Sequence, residues 1–363
     1  MAYDPFARGP HPAGVRTLSL VDAAREGRSL PAEVWYPATE ADAGRDLDDK
    51  TRDAYELIPG FPPFPQDAVR DAAPRTGRHP AILFSHGYGG HRRQSTFLCT
   101  HLASHGYVVA AVDHTGNTMF DVVRQMILAQ SGQELPSIDE QARTFAAARP
   151  PDMSFLLDTL LGADFADLVD AGRIGMTGHS FGGWTTIATT ARDRRIRAAV
   201  PLAPAGGWTP ISDAFSVPDG DFAWGRDVPT LYIVADRDTL LPLRGTRQLF
   251  ERTQSRKRLV VLKNADHMHF CDRVEEIHEI FRQMPQDRIF EPIRSKIPPI
   301  GELCPGEHAL DTIRGLSLAH FDAHLRGNGA AAALVAGDVA GRLAARGIAA
   351  EVVDAGGPAQ SVA

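Results

Sequence analysis

A serine lies between glycines in the segment "MTGHSFGGWT", residues 176–185, directly after the short apolar run "RIG". Gly178 stands two residues before Ser180, and Gly182 and Gly183 follow it. A strand-to-helix turn that exposes a serine hydroxyl needs very small neighbouring side chains, and these glycines supply them. The pattern favours a nucleophilic serine, although the same spacing taken alone also occurs in ordinary chain reversals.

A serine hydroxyl becomes a nucleophile when a histidine, oriented by a carboxylate, takes its proton. Downstream of Ser180, "PTLYIVADRDTLLP" carries Asp236 and Asp238, and "KNADHMHF" carries His267 and His269. The turn after Asp238 directs that side chain away from its strand, so Asp238 is the preferred acid and Asp236 a turn residue or helper. His267 begins its loop and is the preferred base, whereas His269 either contacts a ligand or packs.

Acyl-transfer chemistry also needs fixed N–H groups for the negative oxygen of its tetrahedral intermediate. The backbone N–H of Phe181, directly after the serine, is one expected donor of this oxyanion hole. The glycine-rich loop "FSHGYGG" is expected to supply the other from Tyr88, the alternative being a plain strand exit. Five further residues are predicted to line a substrate pocket: Gly87, His179, Trp184, Trp208 and His269.

Some of these side chains have plainer explanations. His86 and His179 adjoin the proposed site and are expected mainly to brace loop backbones. Trp184 is expected to pack at the start of a helix more readily than to contact substrate. Four aromatic residues of segment 205–226 form either an apolar acyl pocket or lid, or the ordinary packing of a long loop: Trp208, Phe215, Phe222 and Trp224.

The elements that must position these residues alternate along the chain. After two β-rich stretches, "VRTLSLVD" and "PAEVWYPA", short apolar strands alternate with helices from "PAILFSHGYGG" to "TIRGLSLAHFDAHLRG"; one of these helices is expected to begin at Pro151. This alternation predicts an α/β fold with a mostly parallel central sheet and helices on both faces. Because Ser180, Asp238 and His267 each follow a predicted strand, we expect them at one edge of the sheet.

Insertions interrupt this alternation at about residues 39–79, 115–149, 205–226 and 272–306. The first is a proline-rich surface excursion, and each of the others follows a strand end, where active-site loops and lids usually lie. We therefore predict one catalytic domain over residues 1–327, with the insertions forming a partial lid. Residues 328–363, rich in alanine and glycine, are predicted to be an extension holding one helix and a short strand, or partly mobile.

The composition argues against several classes of protein. A net charge of -7 without a basic block argues against a nucleic-acid partner. Cys99, Cys271 and Cys304 are odd in number and lack CxxC spacing, and His320 and His324 have no third ligand of matching spacing. We therefore predict neither a disulfide framework nor a metal site. The start of the chain lacks an apolar signal region, and no run reaches membrane-span length, which predicts a cytoplasmic protein without stable membrane insertion. We also expect a monomer or homodimer.

Five motifs together resemble a known family: "SHGYGGHR", "VAAVDH", "GHSFGG", "PTLYIVADRD" and "HMHF". They are similar to motifs of the plasma-type platelet-activating-factor acetylhydrolases and of the bacterial dienelactone-hydrolase-like and cutinase-like esterases of the α/β-hydrolase superfamily. The resemblance covers about residues 15–326. It implies the α/β-hydrolase fold, with roles for Ser180, Asp238 and His267 and for the backbone of Tyr88 and Phe181. Dienelactone hydrolases proper carry a cysteine nucleophile, so their lactone specificity is not implied here.

These residues predict a serine hydrolase that cleaves a small-molecule or lipid-like ester through an acyl-enzyme and needs no cofactor. Amide or peptide hydrolysis and acyl transfer use the same residues and stay open as alternatives. A catalytically silent binding protein on this fold is the alternative from another class. Such a binding protein would not need a serine, an aspartate and a histidine in the expected order.

Overall fold

Twelve strands and ten helices make up the described part of the fold. A computed structural model describes residues 3–57, 60, 62–162, 165–212, 219–283 and 291–354 of the chain. The strands in this part are β1 (Ala13–Asp22), β2 (Arg28–Pro37), β3 (Ala54–Tyr55), β4 (Phe64–Pro65), β5 (Val69–Arg70), β6 (His79–Ser85), β7 (Val108–Val112), β8 (Val169–His179), β9 (Ile196–Leu202), β10 (Thr230–Ala235), β11 (Lys257–Leu262) and β12 (Ala350–Asp354).

The helices follow most of the strands, as the alternating pattern predicts. They are α1 (Thr96–Ser104), α2 (Met119–Gln130), α3 (Ile138–Leu161), α4 (Phe181–Arg192), α5 (Leu243–Arg252), α6 (Val274–Gln283), α7 (Glu291–Arg294), α8 (Gly306–Leu325), α9 (Gly329–Ala336) and α10 (Val339–Ala344). Short 3-10 turns add to these, among them His267–Phe270 after β11.

Ten strands form one sheet in the order β12-β11-β10-β9-β8-β6-β7-β2-β1-β5. The six strands from β11 to β7 in this order run parallel, whereas β2 is antiparallel to both of its neighbours and β12 is antiparallel to β11. The predicted α/β fold with a mostly parallel sheet is confirmed. Because β7 and β8 lie on opposite sides of β6, the loops after β6 and β8 border a crevice at the carboxyl ends of the strands, where open α/β sheets bind ligands.

The side chains of the central strands alternate between two buried layers. Ile82 and Phe84 of β6 pack in the core that includes α1 and α8, whereas Ala81 and Leu83 pack in the core that includes α3. A strand covered on both faces must be apolar throughout, which explains the continuous apolar runs in the sequence. Packing on both faces holds the strands, and with them the loops at their carboxyl ends, in place.

The helix predicted to begin at Pro151 starts earlier. In the structure α3 begins at Ile138 and contains Pro150 and Pro151 in its interior. A capping box starts it: the Ser137 side chain accepts the N–H of Glu140, and the Glu140 carboxylate accepts the N–H of Ser137. Proline lacks an N–H and usually marks a helix start or end, which is why the sequence pattern misplaced this boundary.

The described part of segment 328–363 packs onto the domain before it. Leu334, Val339 and Leu343, from α9 and α10, are buried in the same core as α8. β12 then extends the sheet, with Val353 opposite Leu259 of β11. The predicted short strand is present, and the predicted single helix is two short helices.

Candidate active site

Ser180 lies in the tight turn between β8 and α4. Its backbone has φ 61° and ψ −119°, a region that non-glycine residues rarely occupy and that stores strain. The turn requires the glycines around it: a Cβ on Gly182 would clash with the carbonyl oxygen of Ser85, and a Cβ on Gly178 would lie 2.5 Å from the carbonyl oxygen of Gly182. The segment "MTGHSFGGWT" therefore forms the strand-to-helix turn that its glycines predict.

Asp238 and His267 form a buried pair at the ends of two neighbouring strands. Asp238 follows β10 and His267 follows β11, and the distance from His267 Nδ1 to Asp238 Oδ2 is 2.7 Å. The other carboxylate oxygen accepts the backbone N–H groups of Leu240 at 3.0 Å and Leu241 at 2.7 Å. With Nδ1–H donated to the carboxylate, His267 Nε2 is left as a proton acceptor.

Burial and charge act against each other on this pair. Burial lowers the pKa of His267, but the charge and hydrogen bond of Asp238 outweigh it and raise that pKa above 6.5. Burial also raises the pKa of Asp238, while His267 and the N–H of Leu241 act in the opposite direction. The ring of His179 lies 4.5 Å from that of His267. Because burial lowers the pKa of His179 well below 6.5, that neighbour adds no positive charge at neutral pH.

Two other aspartates support the loops that carry this pair. Asp236 accepts the backbone N–H of Asn264 at 2.7 Å, which agrees with the predicted turn role. Asp266 accepts the N–H of His267 at 2.7 Å and that of Thr239 at 3.0 Å. These bonds tie the loop after β10 to the loop after β11 and so fix the separation of the acid from the base.

A cavity of about 270 Å³ adjoins Ser180 and His267. Tyr88 and Phe181, the residues predicted to donate the oxyanion N–H groups, also line it. All four insertions contribute side chains to its wall, and most of these are apolar: Leu57, Phe64, Met119, Val122, Met126, Ile211, Ile277, Ile280 and Phe281. The insertions therefore form much of the wall of the site, and their role as a partial lid stays a prediction.

The loop after β6 is held by two buried side chains, those of Gln94 and Arg149, that sequence reasoning missed. Gln94 Oε1 accepts the N–H of Gly87 at 2.9 Å, and its Nε2 lies 2.9 Å from His179 Nδ1. Arg149 donates to the carbonyl oxygens of His86, at 2.6 Å, and Gly87, at 3.0 Å. Neither residue belongs to a recognisable motif, because Arg149 binds backbone oxygens of a distant segment and Gln94 binds one backbone N–H and the ring of His179.

Two of the five predicted pocket residues, Gly87 and His179, lie on the cavity wall. The pocket role is wrong for Trp184 and Trp208, which lie outside the lining, whereas the packing expected of Trp184 at the start of a helix is confirmed. Trp184 is buried at the start of α4, with its ring 5.0 Å from that of Phe181. Trp208 is 40% exposed, under the guanidinium of an arginine of α5.

His269, the third predicted pocket residue outside the cavity lining, is fully buried. Its Nε2 lies 3.1 Å from the carbonyl oxygen of Cys304, and its Nδ1 faces the backbone of Asp266. Of the aromatic residues in segment 205–226, Phe222 and Trp224 are buried in the core that includes α4. Phe215 lies outside the described residues.

A second serine–histidine–aspartate chain lies behind the loop after β6. Ser85 Oγ is 2.9 Å from His114 Nε2, and His114 Nδ1 is 2.9 Å from Asp152 Oδ2. All three side chains are buried, none lines the cavity, and Asp152 forms ion pairs with Arg25 and Arg28. A substrate cannot reach this serine, so the chain is structural.

Two further sequence expectations concern metals and membranes. His320 Nε2 lies 3.0 Å from the carbonyl oxygen of Pro229, which gives this nitrogen a partner inside the protein. Among the residues that the structure describes, no cluster of three potential metal ligands occurs. The helices of this part of the chain also include none that combines the length and the apolar character needed to cross a bilayer.

Comparison with known proteins identifies a family and several relatives. A family model described as PET hydrolase-like matches residues 69–281. The platelet-activating factor acetylhydrolase of Bos taurus is 29% identical over 239 residues, which are 56% of this chain and 51% of that protein. The cutinase est1 of Thermobifida alba is 30% identical over 193 residues, covering 52% of this chain and 53% of the cutinase. The chain therefore spans about half the length of these two relatives.

The similarity extends to solved structures. A ferulic acid esterase from Streptomyces cinnamoneus superposes with a TM-score of 0.65 at 26% identity, covering 87% of this chain and 91% of the esterase. Its fold supports the α/β-hydrolase architecture implied by the sequence motifs. The family match spans more than half of the chain and includes both the serine turn and the Asp238–His267 pair. The chain belongs to the PET hydrolase-like family of α/β-hydrolase proteins.

Proposed function

We propose that this chain is a serine hydrolase that cleaves carboxylic esters, with Ser180 as nucleophile, His267 as general base and Asp238 as the acid that orients it. One observation carries the proposal: His267, held by Asp238 through a buried 2.7 Å hydrogen bond, lines the same apolar cavity as a serine on a strained turn. The relatives named as an acetylhydrolase, a cutinase and a ferulic acid esterase support ester bonds as the target.

The proposed reaction has two halves. His267 Nε2 takes the proton of Ser180 as the hydroxyl oxygen attacks the ester carbonyl, and the backbone N–H groups of Tyr88 and Phe181 stabilise the resulting oxyanion. The protonated His267 then gives the proton to the leaving alcohol, which yields an acyl-enzyme. A water molecule, activated by the same histidine, hydrolyses this intermediate and restores Ser180.

The cavity supports a substrate with an apolar acyl group. At about 270 Å³, with a wall that is mainly aliphatic and aromatic, it favours small to medium acyl chains over charged ones. Amide hydrolysis and acyl transfer would use the same side chains, and a silent binding protein would retain the cavity without turnover.

A fluorophosphonate probe tests the nucleophile. In the folded protein we expect stoichiometric labelling of Ser180, identified by peptide mapping, and no labelling of the Ser180→Ala variant. The buried Ser85 provides an internal control, because its chain to His114 and Asp152 has the same residue types but no access to the cavity. Absence of labelling in folded wild-type protein would contradict the proposal and favour the binding-protein alternative.

A panel of nitrophenyl esters from acetate to decanoate, measured beside a matching anilide, tests the bond and the acyl group. We expect turnover of the esters, with the best kcat/KM at a short to medium chain, and slower turnover of the anilide. Faster cleavage of the anilide would instead identify an amidase.

A further inference from the structure

Two consecutive peptide units of the loop after β6 are each held at a carbonyl oxygen. In the first unit, the carbonyl of His86 accepts a hydrogen bond from Arg149 Nη1 at 2.6 Å, and the N–H of Gly87 donates to Gln94 Oε1 at 2.9 Å. In the second unit, the carbonyl of Gly87 accepts from Arg149 Nη2 at 3.0 Å. This second unit ends in the N–H of Tyr88, the proposed oxyanion donor.

The imidazole of His86 adds another hydrogen bond to the second unit. Its Nε2 accepts the backbone N–H of His114 at 3.1 Å, so the proton of the neutral ring lies on Nδ1. Nδ1 is 2.7 Å from the carbonyl oxygen of Gly87 and donates to it. Burial lowers the pKa of His86 well below 6.5, which keeps this tautomer neutral at working pH.

These bonds fix the direction of the Tyr88 N–H. In a trans peptide the carbonyl oxygen and the amide hydrogen point to opposite sides. The Gly87 carbonyl is held on the protein side by Arg149 and His86, so the N–H of Tyr88 is directed away from them, and Tyr88 lines the cavity with Ser180. The glycine-rich loop would otherwise rotate readily, because glycine has no Cβ to restrict the backbone.

The side chains of Arg149 and Gln94 also contact the segment that supplies the second donor, the N–H of Phe181. The guanidinium of Arg149 lies over the ring of Phe181, 4.5 Å from its centroid. Gln94 Nε2 donates to Nδ1 of His179, the residue before Ser180, at 2.9 Å. Arg149 and Gln94 therefore each connect the loop after β6 to the serine turn.

We infer that Arg149 and Gln94 are positioning residues that set the spacing of the two oxyanion N–H groups, those of Tyr88 and Phe181. The inference rests on the proposed function and deepens it. In the described part of the chain, all four hydrogen bonds of the Arg149 guanidinium go to neutral oxygen atoms of His86, Gly87 and Asn117. A fully buried cation whose hydrogen bonds all go to neutral oxygens, and on which the Asp152 carboxylate acts only through space, is costly for stability, which favours a functional reason for its presence.

Arg326 offers a matched control. It also donates to two consecutive carbonyl oxygens, those of His105 at 2.9 Å and Gly106 at 2.7 Å, and lies over the ring of Tyr107 at 3.9 Å. These residues precede β7, so Arg326 braces the amino end of a parallel strand, at the edge of the sheet opposite Ser180. It forks across two carbonyl oxygens and covers an aromatic ring as Arg149 does, although it also pairs with Asp322 at 2.9 Å, and it lies far from the cavity.

The experiment compares Arg149→Lys and Gln94→Met with Arg326→Lys. Lysine keeps the charge but cannot bind two carbonyls with a planar fork, and methionine keeps the length of glutamine without its hydrogen bonds. The measurements are kcat and KM for a soluble nitrophenyl ester, Ki for an arylboronic acid that forms a tetrahedral adduct, and the urea unfolding midpoint. We expect kcat of the first two variants to fall by about tenfold or more with KM within about twofold, and boronate affinity to weaken in parallel.

Arg326→Lys should lower the unfolding midpoint and leave kcat and boronate affinity within about twofold of wild type. The inference is overturned if folded Arg149→Lys and Gln94→Met keep wild-type kcat and boronate affinity, or if Arg326→Lys loses kcat to the same degree. Should Arg149→Lys fail to fold, Gln94→Met alone decides. If the proposed function itself is wrong, the outcome differs from the two above. The wild-type protein would then show neither ester turnover nor fluorophosphonate labelling, and the inference would fail as well.

Discussion

Asp238 holds His267 by a 2.7 Å hydrogen bond in which both side chains are almost completely shielded from solvent. The carboxylate is itself held by the N–H groups of Leu240 and Leu241, so it cannot rotate without breaking three hydrogen bonds. Because the carboxylate is held in place, its negative charge and its acceptor oxygen determine that the proton of neutral His267 lies on Nδ1.

Asp238→Asn should lower kcat by roughly 10³- to 10⁴-fold with little change in KM, because an amide NH₂ facing Nδ1 favours the wrong tautomer of His267. Steady-state kinetics on a nitrophenyl ester measure the effect. Asp236→Asn is the control: its side chain keeps an oxygen for the N–H of Asn264, so we expect kcat within about threefold of wild type. Equal losses in the two variants would contradict the assignment of the acid.

The pH profile of kcat/KM should rise through a midpoint above pH 6.5, because the reaction needs neutral His267 and Asp238 raises the pKa of that histidine. In Asp238→Asn the negative charge is gone while burial remains, and burial lowers a histidine pKa. The acid limb of this variant should therefore move to lower pH. A limb that does not move between wild type and variant would show that another group controls it.

Gly182→Ala should reduce the free energy of unfolding by about 3 kcal/mol or more, because its Cβ would clash with the backbone carbonyl of Ser85 and neither backbone can move cheaply. Urea denaturation measures the change. Gly329→Ala is the control, since a Cβ added there meets no atom within 4 Å and the residue begins α9. That variant should stay within about 1 kcal/mol of wild type.

Glu33→Gln should cost about 3 kcal/mol of stability, because it removes the charge of a fully buried carboxylate shared by three arginines. Its oxygens lie 2.7 Å from Arg70, 3.3 Å from Arg92 and 2.8 Å from Arg93. Asp158→Asn breaks the exposed pair with Arg195 and should change stability by less than about 1 kcal/mol. Similar unfolding free energies for the two variants would refute the difference expected from burial.

The strands, and with them the sites of Ser180, Asp238 and His267, could be predicted because their signals are local. A buried parallel strand is a continuous apolar run, and a residue that follows it lies at the carboxyl edge of the sheet. The start of α2 had a local signal too: Thr118 and Asp121 form a capping box, as do Ser137 and Glu140 at α3. Both spacings are visible in the sequence. The spacing of Ser137 and Glu140 predicts the observed start of α3, whereas Pro151 does not.

Arg149 and Gln94 could not have been found in this way. Arg149 binds carbonyl oxygens more than 60 residues earlier in the chain, and every residue has a carbonyl oxygen, so no side-chain pattern marks the contact. The same reason applies to Trp208 and His269, whose positions depend on how long loops pack. The cytoplasmic location and the monomer or homodimer state stay predictions.

The pairing of β12 with β11 has a consequence for the protein in concentrated solution. The residues of β11 that it covers include Leu259, Val260 and Val261, an apolar edge that could otherwise recruit a strand from a neighbouring molecule. The outer strand, by contrast, carries Glu351 and Asp354, whose charges disfavour the addition of another strand. We therefore expect β12 to prevent intermolecular strand pairing at this edge of the sheet. A protein cleaved before β12 should lose solubility.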